Sequence, residues 1–107
     1  MPKIVYLFDG WRLDAGRRQL IDPDGRKIVL TSSELNVLLV FVQNPQQTIA
    51  RQDLLPRIGG RVISGDRAVD VRIARIRQKI EKDPRKPEVI KTIRQEGYWF
   101  TPDVAVE

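Results

Sequence analysis

The chain has 107 residues, 41% of them hydrophobic and 31% charged, with a formal charge of +5 and a pI near 10.0. That length suits one compact domain, 1–107, around a single core, and the positive balance favours a polyanionic partner. With no histidine and no cysteine in the sequence, disulfides, ordinary zinc, copper or haem ligation and histidine-based triads are excluded, and no cofactor or metal is expected.

The segment after Met1-Pro2-Lys3 offers only five apolar or aromatic residues before Asp9-Gly10, too few for a secretory signal, and no apolar run is long enough to span a bilayer. The expectation is a cytoplasmic protein that does not engage membranes. Ile4 to Phe8 is a β-prone run, and Trp11 to Asp14 alternates as a half-buried strand should. Ala15-Gly16 reads as a turn. Arg18 to Ile21 and Lys27 to Leu30 are predicted as short strands around Asp22-Pro23-Asp24-Gly25, where proline pre-sets φ and glycine accepts a positive one. The first 30 residues therefore predict a small antiparallel sheet that needs a partner on its apolar face.

Thr31-Ser32-Ser33-Glu34 spells a capping box, and Leu35, Leu38, Leu39 and Val42, widened by Val37, Val40 and Phe41, predict a helix buried nearly all round. Its expected role is core packing alone. Asn44-Pro45 ends it. Thr48-Ile49 is a minimal strand, and Arg51 to Ile58 a second helix with Leu54, Leu55 and Ile58 inward, kept short, kinked or ended early by Pro56. Gly59 to Gly65 holds three glycines and reads as a loop.

Asp66 to Lys82 follows, with six Lys/Arg against three acids. Val69, Ile73, Ile76 and Ile80 recur at helical spacing on one side. Arg67, Val71, Ala74, Arg75 and Gln78 take the other, flanked by Arg72, Arg77 and Lys79. Asp66 is placed as N-cap, and Asp83-Pro84 stops the helix. One face wants a core. The other presents guanidinium groups around small apolar side chains, the chemistry for lying in a DNA major groove. Arg85-Lys86-Pro87 is a basic linker. Val89 to Ile93 and Tyr98 to Thr101 predict a hairpin with Arg94-Gln95-Glu96-Gly97 at its tip, the aromatics packing the sheet rather than stacking on bases. Pro102 to Glu107 is expected to fray. The order is sheet, helix, short helix, loop, basic helix, hairpin, an α+β winged helix-turn-helix with the hairpin as wing.

Five stretches in this order resemble the C-terminal DNA-binding domain of OmpR/PhoB-type bacterial response regulators: FDGWRLD from Phe8, LTSSELNVLL from Leu30, ARQDLL from Ala50, DRAVDVRIARIRQKIEKDP from Asp66 and VIKTIRQEGYWF from Val89. The resemblance implies sequence-specific binding of double-stranded DNA by a transcription regulator in a two-component system. It implies that Arg67, Val71, Arg72 and Arg75 face DNA, with Arg75 at a base-reading position, and that Arg77 meets a phosphate; Lys79 joins them as a flanking cation. It puts Thr92, Arg94 and Tyr98 on the wing, near the minor groove. It implies a contact with RNA polymerase through Gly59 to Gly65 in activators. The isolated domain is expected to be monomeric, with pairing on tandem half-sites open to it. No stretch corresponds to the family's phosphorylated receiver, so the chain reads as an excised effector domain or a standalone regulator.

Some positions depart from the family pattern. Gln95 stands for the first glycine of the wing, with Glu96 at the tip; Ala50 stands for a frequent serine cap, Ile58 for an aromatic and Arg72 for a histidine. A rival reading uses the same basic face to dock an acidic protein, since winged helices also serve as interaction modules.

Overall fold

The computed structural model describes residues 4–58 and 66–107. Strands β1 (Val5–Phe8), β2 (Trp11–Asp14), β3 (Gln19–Ile21) and β4 (Lys27–Ile28) form an antiparallel meander. The first turn is set by Asp9 and Gly10, both at positive φ (47° and 83°), in the two-residue geometry whose twist suits a hairpin. The second turn spans residues 15–18, and the left-handed residue is Arg18 (φ 53°) rather than Gly16, so β3 starts one residue later than the pattern predicts. The third closes with the Gly25 amide donating to the Asp22 carbonyl at 3.0 Å, Gly25 taking φ 87°.

Helix α1 (Ser32–Gln43) begins with the predicted capping box: the Glu34 amide donates to Thr31 Oγ1 at 3.2 Å, and the Thr31 amide donates to Glu34 Oε1 at 2.9 Å. Leu35, Val37, Leu38, Phe41 and Val42 are buried, and Leu39 and Val40 partly so. Strand β5 (Thr48–Ile49) leads into α2 (Arg51–Ile58), an eight-residue helix that contains Pro56 and buries Leu54 and Ile58. Residues 59–65, expected to form a loop, lie outside the described residues; Asp66, expected as the N-cap, is the first residue of the helix that follows. Helix α3 (Asp66–Ile80) is two residues shorter than predicted.

Strands β6 (Ile90–Ile93) and β7 (Gly97–Phe100) make the wing, with β5 on the far edge of β7. Gly97 is required there. Its φ is +145°, and a Cβ on it would sit 2.1 Å from the Ile49 carbonyl oxygen of β5. Gln95, at the tip, takes φ +67°, which explains why the family pattern has glycine at this place.

One prediction is overturned. The tail does not fray: β8 (Ala105–Val106) pairs antiparallel with β1, giving the first sheet the order β4-β3-β2-β1-β8. The Glu107 amide donates to the Val5 carbonyl at 2.9 Å, and Arg12 forks onto the Glu107 carboxylate at 3.0 and 2.8 Å. The β1 edge would otherwise present unpaired backbone groups, and the tail satisfies them.

The core lies where the two sheets meet the helices. Phe100 of β7 packs edge-on against Phe8 of β1, centroids 5.0 Å apart, and stacks on Phe41 of α1 at 5.9 Å. Val69, Ile73, Ile76 and Ile80 seat α3 on this core, as its spacing requires.

Candidate nucleic-acid interface

With its apolar stripe buried, α3 turns Arg67, Val71, Ala74, Arg75 and Gln78 to solvent. Val71 is one of the few large apolar side chains left open, at 39% exposure. Arg67 and Arg75 have no ion-pair or hydrogen-bond partner among the described residues. The two guanidinium groups flank small apolar side chains on this strip, the chemistry a helix needs to lie in a major groove.

The flanks are built differently. Toward α1, Arg72 Nε donates to Ser33 Oγ at 2.9 Å, and Lys79 Nζ donates to Glu34 Oε1 at 2.5 Å. The Glu34 side chain is only 2% exposed, so the carboxylate that closes the capping box is also the counter-ion of Lys79. Burial pushes the Glu34 carboxyl up, but the hydrogen bonds from Lys79 and Thr31 together outweigh it and hold the group below its ordinary value.

Toward the wing, Arg77 forks onto the Ile90 carbonyl through Nε (3.0 Å) and Nη2 (2.7 Å), and Nη2 also donates to Thr92 Oγ1 at 2.8 Å. Burial lowers its pKa, yet a guanidinium stays charged. The Tyr98 ring lies within cation–π range of both Arg77 (5.5 Å) and Arg51 (5.2 Å), and its hydroxyl donates to Asp70. Arg51 Nε donates to the same Asp70 oxygen at 2.8 Å, which raises the Arg51 pKa. Burial, then the Asp70 contact, pushes the Tyr98 phenol up to about 12.

The residues expected at the interface thus divide. Arg67, Val71 and Arg75 share the open face of α3, and Arg94 stands exposed at the wing tip with no partner among the described residues. Arg72, Arg77, Lys79, Thr92 and Tyr98 all have partners inside the protein, and Tyr98 is buried. No ion pair joins Arg94 to Glu96 among the described residues; the Glu96 amide instead closes the tip on the Ile93 carbonyl at 2.9 Å. Residues 59–65, expected to reach RNA polymerase, lie outside the described residues.

Sequence reasoning missed Arg51, Asp70 and Glu81, and the second role of Glu34. A signal existed for Asp70. Seven residues before Arg77, it shares one side of α3, and an acid beside a face meant for phosphates calls for neutralisation from within. Glu34 carried a similar sign, an acid on a helix that is otherwise apolar. Glu81 is buried and accepts the amides of Glu88, Val89 and Ile90 at 2.8–3.0 Å, tying the start of β6 to the end of α3.

Residues 25–100 match the family described as transcriptional regulatory protein, C terminal. The chain is 45% identical over 100 residues to the aerobic respiration control protein ArcA of Escherichia coli, covering 92% of this chain and 42% of ArcA. Among solved structures it is similar to the DNA-binding domain of Klebsiella pneumoniae RstA in complex with the RstA box (TM-score 0.81, 31% identity, 92% of this chain and 98% of that one). It is also similar to the Thermotoga maritima response regulator DrrB, an OmpR/PhoB homologue (TM-score 0.82, 36% identity, 91% of this chain and 44% of that one). The chain therefore spans less than half the length of ArcA and of DrrB.

Proposed function

This chain belongs to the C-terminal domains of transcriptional regulatory proteins, OmpR/PhoB type, and from that premise we propose that it binds double-stranded DNA at preferred sequences as a single effector domain, 1–107. The carrying observation is the open face of α3, where Arg67 and Arg75 have no partner among the described residues, while Arg72 is bonded to the Ser33 hydroxyl and Lys79 to the Glu34 carboxylate. Arg75 offers a fork that matches the O6 and N7 of guanine, and Val71 and Ala74 let the helix approach base edges closely. Arg67 and other lysines and arginines of the domain meet phosphates, which position the domain and supply most of its affinity. Arg94 extends the contact to the minor groove beside the wing. No bond is made or broken, so the domain is not an enzyme.

By family resemblance the isolated domain is a cytoplasmic monomer, with pairing on tandem half-sites open to it, and in an activator residues 59–65 reach RNA polymerase. Selection of bound sequences from a random duplex pool tests the central part. A defined preferred site should emerge, and log K on it should fall against log salt with a slope of about −4 to −5, for roughly four to six neutralised phosphates. No enriched sequence and a slope near zero would remove the DNA reading.

A further inference from the structure

The contacts between α3 and the wing are directional. Three sets lie along the helix. At its C-terminal end the buried Glu81 carboxylate gathers the amides of residues 88–90. At its middle Arg77 forks onto the Ile90 carbonyl and Thr92. In its N-terminal half Asp70 takes the Tyr98 hydroxyl of β7 and, from α2, Arg51. Apolar contacts tolerate sliding, whereas a guanidinium fork and a shared carboxylate oxygen have one register. Losing one partner of such a contact leaves a charged or polar group unpaired, which holds the two elements to one geometry.

The fixed geometry has a use if both elements meet one duplex. Arg75 on α3 reads the major groove and Arg94 on the wing the minor groove, so a rigid offset between them becomes a fixed number of base pairs between two parts of the site. We infer that Asp70 and Arg77, through Tyr98, Thr92 and Arg51, act as positioning residues for specificity: they form a ruler that sets the spacing between the major-groove element and the wing element of the operator. This rests on the DNA-binding reading and on a wing that touches DNA. It gives Arg77, Thr92 and Tyr98 a role in recognition without direct contact with bases.

The experiment is selection from a random duplex pool with wild type, Arg94→Ala, Arg77→Lys, Asp70→Asn and Thr92→Val, the active fraction of each measured by titration. Arg77→Lys keeps the cation and loses the fork; Asp70→Asn keeps the shape and loses the charge that holds Arg51. Thr92→Val removes one acceptor at an exposed site, so the test survives if Arg77→Lys fails to fold. A variant that is merely less stable lowers the active fraction and leaves the selected sequence unchanged, which separates positioning from folding. Wild type should yield a major-groove motif with an A·T-versus-G·C preference at a fixed distance from it. Arg94→Ala should lose that preference alone. Arg77→Lys and Asp70→Asn should keep the major-groove motif while the wing preference spreads by about one base pair or more, since the duplex rises roughly 3.4 Å per step and the broken contacts are of similar length.

Selected sites identical to wild type in content and spacing for Arg77→Lys, Asp70→Asn and Thr92→Val, with Arg94→Ala still erasing the wing preference, would overturn the ruler and leave the DNA reading standing. An Arg94→Ala site identical to wild type would overturn the wing contact and the ruler together. Failure of every protein to enrich any sequence would overturn the DNA reading itself.

Discussion

Arg75 and Arg77 stand two residues apart on one helix, and their guanidinium groups have opposite surroundings. Arg75 is exposed and without a partner among the described residues. Arg77 is half-buried, forked onto the wing and lowered in pKa by its burial. The other flank repeats the contrast, with Lys79 held by a carboxylate that is itself shut off from water. A basic helix is therefore not one electrostatic surface. Position around the axis decides whether a cation stands open to solvent or is bonded within the fold.

The largest effect should come from the side that neither reads nor carries charge. Ile76 is fully buried, so Ile76→Ala should cost about 2–5 kcal/mol in denaturant unfolding. A loss within about 0.5 kcal/mol, the size expected at a surface, would mean that this side of α3 faces water.

Next comes the pair itself. Arg77→Ala should lower stability by roughly 1.5–3 kcal/mol, because a charged donor with two acceptors is removed. Arg75→Ala should stay within about 0.5 kcal/mol in the same assay. Equal losses would erase the distinction between the two residues.

Glu34→Gln preserves the capping box but removes the anion facing Lys79, for an expected cost of about 1–2 kcal/mol at neutral pH. That is below the range for a fully buried pair because Lys79 keeps a path to water. The folded-state pKa of Glu34 is depressed, so its contribution is complete above the ordinary value of 4.5 and is lost as pH falls below that through the folded value. Stability curves of wild type and Glu34→Gln should therefore converge in acid. Curves that stay parallel from neutral pH into acid would show that the pair does not stabilise the fold.

The smallest expected effect is at the wing tip. Glu96 is exposed and forms no ion pair with Arg94 among the described residues, so its charge faces whatever the wing approaches. Glu96→Gln should tighten duplex binding by about 0.5–1.5 kcal/mol at low salt, on preferred and random sequences alike, and the gain should shrink as salt screens it. Unchanged affinity in both Glu96→Gln and Arg94→Ala would take the wing off the DNA.

Most of the fold was legible because its signals are local. The Thr31–Glu34 cap, the Asp9-Gly10 turn and the stripe Val69, Ile73, Ile76, Ile80 each need only a few neighbouring residues to be read. The strand at Ala105–Val106 was not legible, because its meaning comes from the β1 edge at the other end of the chain. The open face of α3 was legible from periodicity alone. Its flanks were not: Lys79 meets an acid 45 residues earlier in sequence and Tyr98 one 28 residues earlier, and no spacing rule connects such pairs. Gln95 lay between these cases. Its departure from glycine was visible, but the positive φ it must tolerate was not.

The division of the helix is tested most directly by titrating preferred and random duplexes with Arg75→Ala and Lys79→Gln across a range of salt. Arg75→Ala should lose about 1–3 kcal/mol on the preferred site and little on random duplex, as loss of a guanine fork requires. Lys79→Gln should melt at a lower temperature yet bind both duplexes as wild type does, with the same salt slope. If Lys79→Gln weakens both duplexes and reduces the slope by about 0.9, Lys79 grips a phosphate and the flank is part of the DNA surface after all.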